Sequence, residues 1–315
     1  MSGRPSTESF WMNAVSENET DQHFRSGYVA ILGAPNAGKS TLLNRLLGQK
    51  ISITSKKPQT TRNRIIGVVQ RPAAQIVFLD TPGVHQSKTP LNNRIVDAAL
   101  ATLAEVDLIL MMVDVSSPDK NAEALLIQKL AEQQKPVLLA LNKIDQIKRQ
   151  QLLGHIEAWS AALSFMAVVP ISAKSGEQVD QLLEIMETNL PLGPPFFPPD
   201  SLTDLPTRFI AAELIREKAF RLTGQEIPYA VAVTVDEFKT EKNGRLVRIH
   251  ATIHVERDSQ KGIVIGKKGA KLKQIGEAAR QAIEEMLETR VFLKLFVRVQ
   301  KNWTKDTKAL RKFGY

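Results

Sequence analysis

The sequence predicts a two-part chain. An α/β domain, with a mostly parallel sheet covered by helices on both faces, precedes a smaller α+β domain. Three observations carry this. Gly33-Ala34-Pro35-Asn36-Ala37-Gly38-Lys39-Ser40 reads G-x-x-x-x-G-K-S between an apolar run of strand length, 28–32, and a helically spaced run, 41–47. Apolar strands and amphipathic helices then alternate as far as residue 190. Finally, residues 190–200 hold five prolines in eleven positions, and the charge changes there: 19 Lys+Arg against 19 Asp+Glu before residue 201, then 23 against 14.

That last count puts the whole formal excess of +9 in the final third of the 315 residues. A neutral first domain joined to a basic second one points to a polyanionic partner, most often nucleic acid. The absence of cysteine excludes disulfides, thiolate zinc sites and a cysteine nucleophile. No apolar run reaches membrane-spanning length; the nearest, 106–113, has about eight residues. Residues 1–26 are polar, include Glu8, Glu17, Glu19 and Asp21, and are expected to form a flexible tail.

In order, the first domain reads as follows. After the glycine loop and its helix, 55–64 is a polar, Pro-interrupted loop containing Thr60 and Thr61. Strands are expected at 65–69 and 75–79, a helix at 91–104 and a strand at 106–113. A helix at 122–134, a strand at 136–141, a helix at 151–163, a strand at 166–171 and a closing helix at 179–190 complete it. Nearly every unusual polar motif falls at the C-terminal tip of a strand, where open α/β sheets bind ligands.

The chemistry follows from those tips. Strand, glycine loop and helix aim backbone N–H groups and a positive helix end at a phosphate; Thr41 lies in that first helical turn. Lys39 would reach the β- and γ-phosphates and the Ser40 hydroxyl would ligate Mg²⁺. Asp80-Thr81-Pro82-Gly83 ends an apolar strand as a Mg²⁺-holding carboxylate should, and Gly83 lets a backbone N–H approach the γ-phosphate. Asn142-Lys143-Ile144-Asp145 selects the base: the Asp145 carboxylate can accept from guanine N1–H and its amino group, a pair that adenine lacks. Asn142 and Lys143 would brace that pocket, and Ser172-Ala173-Lys174 would complete it.

The set Gly33–Ser40, Thr60-Thr61, Asp80–Gly83, Asn142–Asp145 and Ser172–Lys174 resembles the five motifs of translation-factor-related GTPases. Asn36 and Gln59-Thr60-Thr61-Arg62 are similar to the bacterial TrmE–Era–EngA family within them. The resemblance implies GTP and GDP as ligands and Mg²⁺ as cofactor. It implies Thr61, rather than Thr60, beside Ser40 and Asp80 as a Mg²⁺ ligand, and Lys39, Thr61 and Gly83 in catalysis. Val84 stands where Ras-like relatives carry the water-orienting Gln, so slow intrinsic hydrolysis is expected. K⁺ held through Asn36 is implied for some relatives.

The proline stretch reads as a stiff, extended connector, with Phe196 and Phe197 packing on one domain or the other. In the second domain a helix is expected at 207–222, strands at 230–238 and 246–255, a helix at 270–287 and a strand at 291–299, in the order α-β-β-loop-α-β. Ile263-Val264-Ile265 runs into Gly266-Lys267-Lys268-Gly269. Two glycines let the chain press on a sugar-phosphate backbone, Lys267, Lys268 and Lys271 neutralise phosphates, and the apolar run offers a groove for bases. This segment and the element order resemble a type II KH domain. His250 and His254 share a strand face and are expected at the surface, and Trp303 and Phe313 either pack back on the sheet or stack on RNA bases.

The expected organisation is therefore a tail at 1–26, a P-loop GTPase domain at 27–191, a linker at 192–204, a type II KH domain at 205–300 and a basic tail at 301–315. A GTPase domain followed by a KH domain further resembles members of that family that act in ribosome assembly. That implies a GTP-hydrolysing switch that binds the 3′ end of 16S rRNA and assists 30S subunit biogenesis. It also implies a cytoplasmic monomer with peripheral contact to the membrane face. Two alternatives stand beside it: a GTP-regulated factor acting at the membrane or on signalling partners, and a GTP-holding RNA adaptor with little turnover.

Overall fold

The computed structural model describes residues 23–54, 64–84, 102–223, 227, 231–241, 243–306, 309 and 313. Its first part is a six-stranded sheet in the order β2-β3-β1-β4-β5-β6. The strands are β1 (Arg25–Gly33), β2 (Ile65–Arg71), β3 (Ala74–Asp80), β4 (Leu108–Asp114), β5 (Val137–Asn142) and β6 (Ala167–Ile171). Of these, β2 alone runs antiparallel, against β3. The apolar runs of β3, β4 and β5 are buried along their whole length, as strands covered on both faces must be.

Helices α1 (Lys39–Leu47) and α4 (Val179–Asn189) pack on one face, with Leu42, Leu43, Leu182 and Met186 in the core. On the other face α2 (Lys120–Ala131) inserts Leu126 and Leu130, and α3 (Arg149–Ala162) packs with only partly buried Leu152, Ile156 and Trp159. Of the helix expected at 91–104, residues 91–101 lie outside the described residues, and Thr102–Glu105 form a 3-10 turn.

The second part has the sheet order β7-β8-β9, with β7 (Ala232–Thr240), β8 (Leu246–Val255) and β9 (Arg290–Val299). β7 and β8 are antiparallel, and β8 and β9 are parallel from Leu246↔Arg290 to Val255↔Val299. A parallel pair needs a crossover. Here it comprises α6 (Asp258–Ile265), a 3-10 turn (Lys267–Gly269) and α7 (Ala270–Leu287), which pack with α5 (Thr207–Leu222) on one face of the sheet. The element order expected from the sequence omits α6. Its eight residues hold a single apolar turn, Ile263-Val264-Ile265 after Gly262, too short for a helical period to show.

The proline stretch lies on the first domain rather than spanning open space. The Gly193 N–H donates to Phe24 O at 3.0 Å, and the buried Gln75 Oε1 accepts from the Phe196 and Phe197 N–H groups at 2.7 and 2.9 Å. Phe196 stacks on Tyr28 with centroids 4.9 Å apart, and Phe197 joins the core cluster of β1 and β4. Leu202 O accepts from the Val68 N–H at 2.9 Å and Thr203 Oγ1 donates to Ile66 O at 2.6 Å, which covers the open edge of β2.

A carboxylate then ties the second domain to the first. Glu217, on α5, has a fully buried side chain and pairs with Lys50 Nζ at 2.6 Å and Arg221 at 2.5 Å. Arg221 also donates to Thr54 O and Oγ1 at 2.8 and 3.1 Å. A buried carboxylate stripped of its cations would be strongly destabilising. Burial, and then the neighbouring Lys50 ammonium, hold Lys218 below the usual lysine range.

At the chain's end Trp303 and Phe313 are buried with Ala232 and Ala309, so they pack back on the sheet. His254 is buried too, contrary to the surface position expected: its ring lies 4.6 Å from Phe313 and its Nε2 is 2.9 Å from Thr234 Oγ1. His250 instead faces out and pairs with Glu237 at 2.9 Å. Among the described residues no helix is long and apolar enough to cross a membrane.

Candidate functional site

β1 delivers the chain at Gly33 and α1 takes it up at Lys39; the loop between them turns tightly because its glycines allow it. Gly38 has φ +102°, and a Cβ there would lie 2.1 Å from Asn142 Nδ2. A Cβ on Gly33 would meet Met112 O at 2.5 Å. Asn36 also has positive φ, at 65°, and is exposed at the loop tip. Lys39 is buried and donates to Gly33 O at 3.1 Å and Ala34 O at 2.9 Å, inside the loop. Burial lowers its pKa to about 8 against the opposing pull of Asp80. A phosphate in the loop would supply the counter-charge that this ammonium lacks.

Asp80, at the tip of β3, is buried and accepts from Ser40 Oγ at 2.8 Å and Ser52 Oγ at 3.0 Å, both on Oδ2. A hydroxyl beside a carboxylate at the mouth of a phosphate loop is an all-oxygen donor set. It fits Mg²⁺, which takes one or two protein oxygens and shares the phosphates. Ser52 is set by Asn44 of α1, whose Oδ1 accepts from the Ile51 and Ser52 N–H groups at 3.0 and 2.9 Å. Gly83 lies against the loop: a Cβ there would sit 2.8 Å from Pro35 Cα. The Val84 N–H donates to Gly33 O at 3.1 Å, while its side chain is buried in the core. Thr81 and Pro82 are buried, and Thr81 Oγ1 donates to Ile31 O at 2.7 Å, so Thr81 supports the loop by holding β1. Thr41 is half-buried on α1. Thr60 and Thr61 lie outside the described residues.

The end that the sequence assigns to the base is assembled from three loops. Asn142 Nδ2 donates to Ala37 O at 2.7 Å, and its Oδ1 accepts from the Ala173 N–H at 2.9 Å, which ties the phosphate loop to the 172–174 turn. Ser172 Oγ donates to Asp145 Oδ1 at 2.7 Å and aims the exposed carboxylate. Lys143, at φ +69°, pairs with Asp114, and Ile144 packs half-buried on the core. Arg45 donates to Ala173 O at 2.7 Å and also to Lys174 O, while the Lys174 side chain is exposed. Sequence reasoning misses Asp114, Arg45, Asn44 and Ser52 as parts of this site. For Asp114 one signal exists, its place at the end of β4 beside the other strand tips; the other three have none.

In the second domain, α6 ends at Ile265 and Gly266 follows at φ +70°, where a Cβ would lie 2.6 Å from Lys271 Cβ. Gly269 has φ +81° with open space around it. Lys267 and Lys268 are exposed and Lys271 is half-buried. Of the apolar run, Val264 is fully buried in the core, so only half-exposed Ile263 and Ile265 can face a ligand.

The first domain thus has the architecture and the strand-tip motifs of a guanine-nucleotide hydrolase, and the second has the topology of an RNA-binding KH module. Residues 28–143 match the family described as a 50S ribosome-binding GTPase, and residues 226–304 match the KH domain family. The GTPase Era of Geotalea uraniireducens is 55% identical over 296 residues, covering 94% of this chain and 99% of its own. That of Geobacter metallireducens is equally similar over the same span. The crystal structure of a single-substitution variant of Aquifex aeolicus Era bound to GDP·AlF4⁻ superposes with a TM-score of 0.88 at 42% identity, covering 93% of this chain and 99% of that one. Era in complex with MgGDPNP and nucleotides 1506–1542 of 16S ribosomal RNA gives a TM-score of 0.86 at 42% identity and the same coverage. The chain belongs to the Era family of GTPases.

Proposed function

We propose that the protein is a GTP-hydrolysing switch that grips the 3′ end of 16S rRNA in its KH domain and assists 30S subunit biogenesis in the cytoplasm. The observation that carries this is the match over 93% of the chain to an Era structure with MgGDPNP and 16S rRNA nucleotides 1506–1542. The geometry at Lys39, Ser40, Asp80, Asn142 and Ser172 supports it.

Ser40, Asp80 and Thr61 would hold Mg²⁺, which would neutralise charge on the β- and γ-phosphates. Lys39 gives up its contacts with Gly33 O and Ala34 O for the phosphate oxygens, and the backbone N–H groups of 33–40 cradle them. Gly83 lets a backbone N–H approach the γ-phosphate. The Val84 side chain is buried, so this position has no side-chain amide to orient water, and unassisted hydrolysis is slow. K⁺ beside the exposed Asn36 would add charge where an arginine finger acts elsewhere. Asp145, aimed by Ser172, reads guanine. Lys267, Lys268 and Lys271 hold the RNA backbone. The Glu217 ion pairs and the Arg221–Thr54 contact connect α5 to the segment leading towards Thr61, and so join nucleotide state to RNA grip. The basic surface is the support for a peripheral membrane contact by a monomer.

The test is phosphate release from GTP together with binding of a short RNA copying the 16S 3′ end. Turnover that needs Mg²⁺ and falls at least about a hundredfold in Lys39→Ala is expected, with RNA binding above that of a scrambled strand. Turnover equal in wild type and Lys39→Ala, or equal binding of both RNAs, would contradict the proposal.

A further inference from the structure

The helices of the KH domain cover one face of its sheet and leave the other open. On β8 and β9 the inward residues Val247, Ile249, Leu293 and Leu295 pack against those helices. The outward ones include two of the most exposed large apolar side chains among the described residues, Phe292 at 46% and Phe296 at 45%. A single exposed aromatic is unremarkable, but these two share one strand face four residues apart, about 13 Å along it. His250 on the neighbouring strand sits between them, edge-on to both, with centroids at 6.4 and 6.5 Å. The three rings form one strip.

Two cations lie against the rings of the strip. The Arg248 guanidinium lies over Phe292 at 5.1 Å and the Lys294 ammonium lies near Phe296 at 5.2 Å. Among the described residues the carboxylates of this face lie on the β7 side: Asp236 accepts from Thr252 Oγ1 at 2.6 Å, Glu237 pairs with His250, and Glu241 pairs with Arg248. The β9 side, with Lys294 between the two rings, has no acidic residue on this face. The C-terminal Trp303 and Phe313 cap the far end of the face at Ala232 and His254.

From this juxtaposition we infer a second RNA-contacting surface: the Phe292–His250–Phe296 strip is a platform on which unpaired bases stack while Arg248 and Lys294 meet the phosphates. Sequence-tolerant single-strand binding elsewhere uses this combination of aromatic faces and cations. The cations that rest on the rings would move to phosphates as bases take the ring faces. β9 is the edge strand of the sheet and also packs against the helices that flank the Gly266–Gly269 loop. A strand leaving that loop would therefore need only to pass over the β9 edge to reach the platform. The inference takes from the proposed function only that the domain meets single-stranded RNA.

The test compares the full-length protein on three labelled RNAs at fixed salt: a short strand copying the 16S 3′ end, the same strand with an oligouridine extension at either end, and oligouridine alone. Wild type should bind an extended strand at least about tenfold more tightly than the short one. Phe292→Ala/Phe296→Ala should lose that gain and keep the short-strand affinity, while Phe292→Tyr/Phe296→Trp should retain the gain and show quenched Trp fluorescence on binding. Oligouridine alone should bind wild type more tightly than the double-Ala variant even if the 16S strand proves not to be the target, which separates this inference from the proposed function. Equal gain in wild type and double-Ala would overturn it. So would an absent gain with self-association that the double-Ala variant abolishes, which would make the strip an interface between copies of this chain.

Discussion

The nucleotide end of the first domain and the Gly266–Gly269 loop of the second are both proposed to meet phosphates, but they are built in opposite ways. At the first, Lys39, Asp80, Asn142 and Ser172 are buried and each bonds another protein group. At the second, Lys267 and Lys268 are exposed on a turn held by glycines of positive φ. A buried, cross-bonded site discriminates by the penalty of leaving groups unsatisfied. An exposed cationic loop attracts any polyanion and is tuned by salt. The proposed base contact, Asp145, is itself exposed but is aimed by buried Ser172, whereas the proposed backbone contacts, Lys267 and Lys268, have no such buried support among the described hydrogen bonds.

The largest effect that would sharpen this contrast is at the base reader. Asp145→Asn should weaken GTP binding at least about a hundredfold, because a charge-assisted pair to guanine is lost, and should shift preference towards xanthosine triphosphate. Titration with fluorescent nucleotides checks it, and unchanged GTP affinity would break the account of the pocket. Next, Gly38→Ala drives a Cβ to 2.1 Å from Asn142 Nδ2 at a backbone φ of +102°. It should cost about 2–4 kcal/mol in denaturant unfolding, whereas Gly269→Ala, with open space around it, should cost only the positive-φ strain, about 1 kcal/mol.

The RNA loop should answer to salt instead. Lys267→Ala/Lys268→Ala should lower RNA affinity about tenfold at moderate salt and reduce the slope of log affinity against log salt by about 1.4, with GTP affinity unchanged. A smaller effect tests the burial of Lys39. Its pKa of about 8 lies below the ordinary 10.5, so between those values the unfolded chain keeps a proton that the folded one has released. The stability of the ligand-free protein therefore gains a contribution as pH rises from about 8 to about 10.5, and the burial penalty is fully present below about 8. A phosphate ligand restores the proton, so nucleotide binding at about pH 9 should take up close to one proton and none at about pH 7. Calorimetry in buffers of different ionisation enthalpy reads it, with Lys39→Met as the blank.

The sequence made much of this legible, and where it failed is instructive. Helices 207–222 and 270–287 and strand 246–255 have long, clean periods, and the structure has them over those same residues. The strand-tip motifs stand out because each is a polar break in an apolar run. α6 escapes because its eight residues contain one apolar turn, and which domain takes the connector's Phe196 and Phe197 stays open because proline content says nothing about the Gln75 amide that anchors them. Arg45, Asn44 and Ser52 act through partners 7 to 129 positions away, and no local pattern encodes such partners. Glu217 is invisible for the same reason: an acidic residue in a charged helix reads as solvated until Lys50 and Arg221 are seen around it.

That carboxylate links α5 of the second domain to Lys50 of the first, and the proposal that nucleotide state sets RNA grip is tested there. The most direct measurement is the affinity of the short 16S 3′ strand at fixed salt, with a non-hydrolysable GTP analogue and Mg²⁺ and then with GDP, in wild type and in Glu217→Gln. Tighter binding with the analogue, with the difference lost in Glu217→Gln while both forms still bind nucleotide, is the predicted result. Equal affinity in both nucleotide states of the wild type would contradict it and leave two independent modules on one chain.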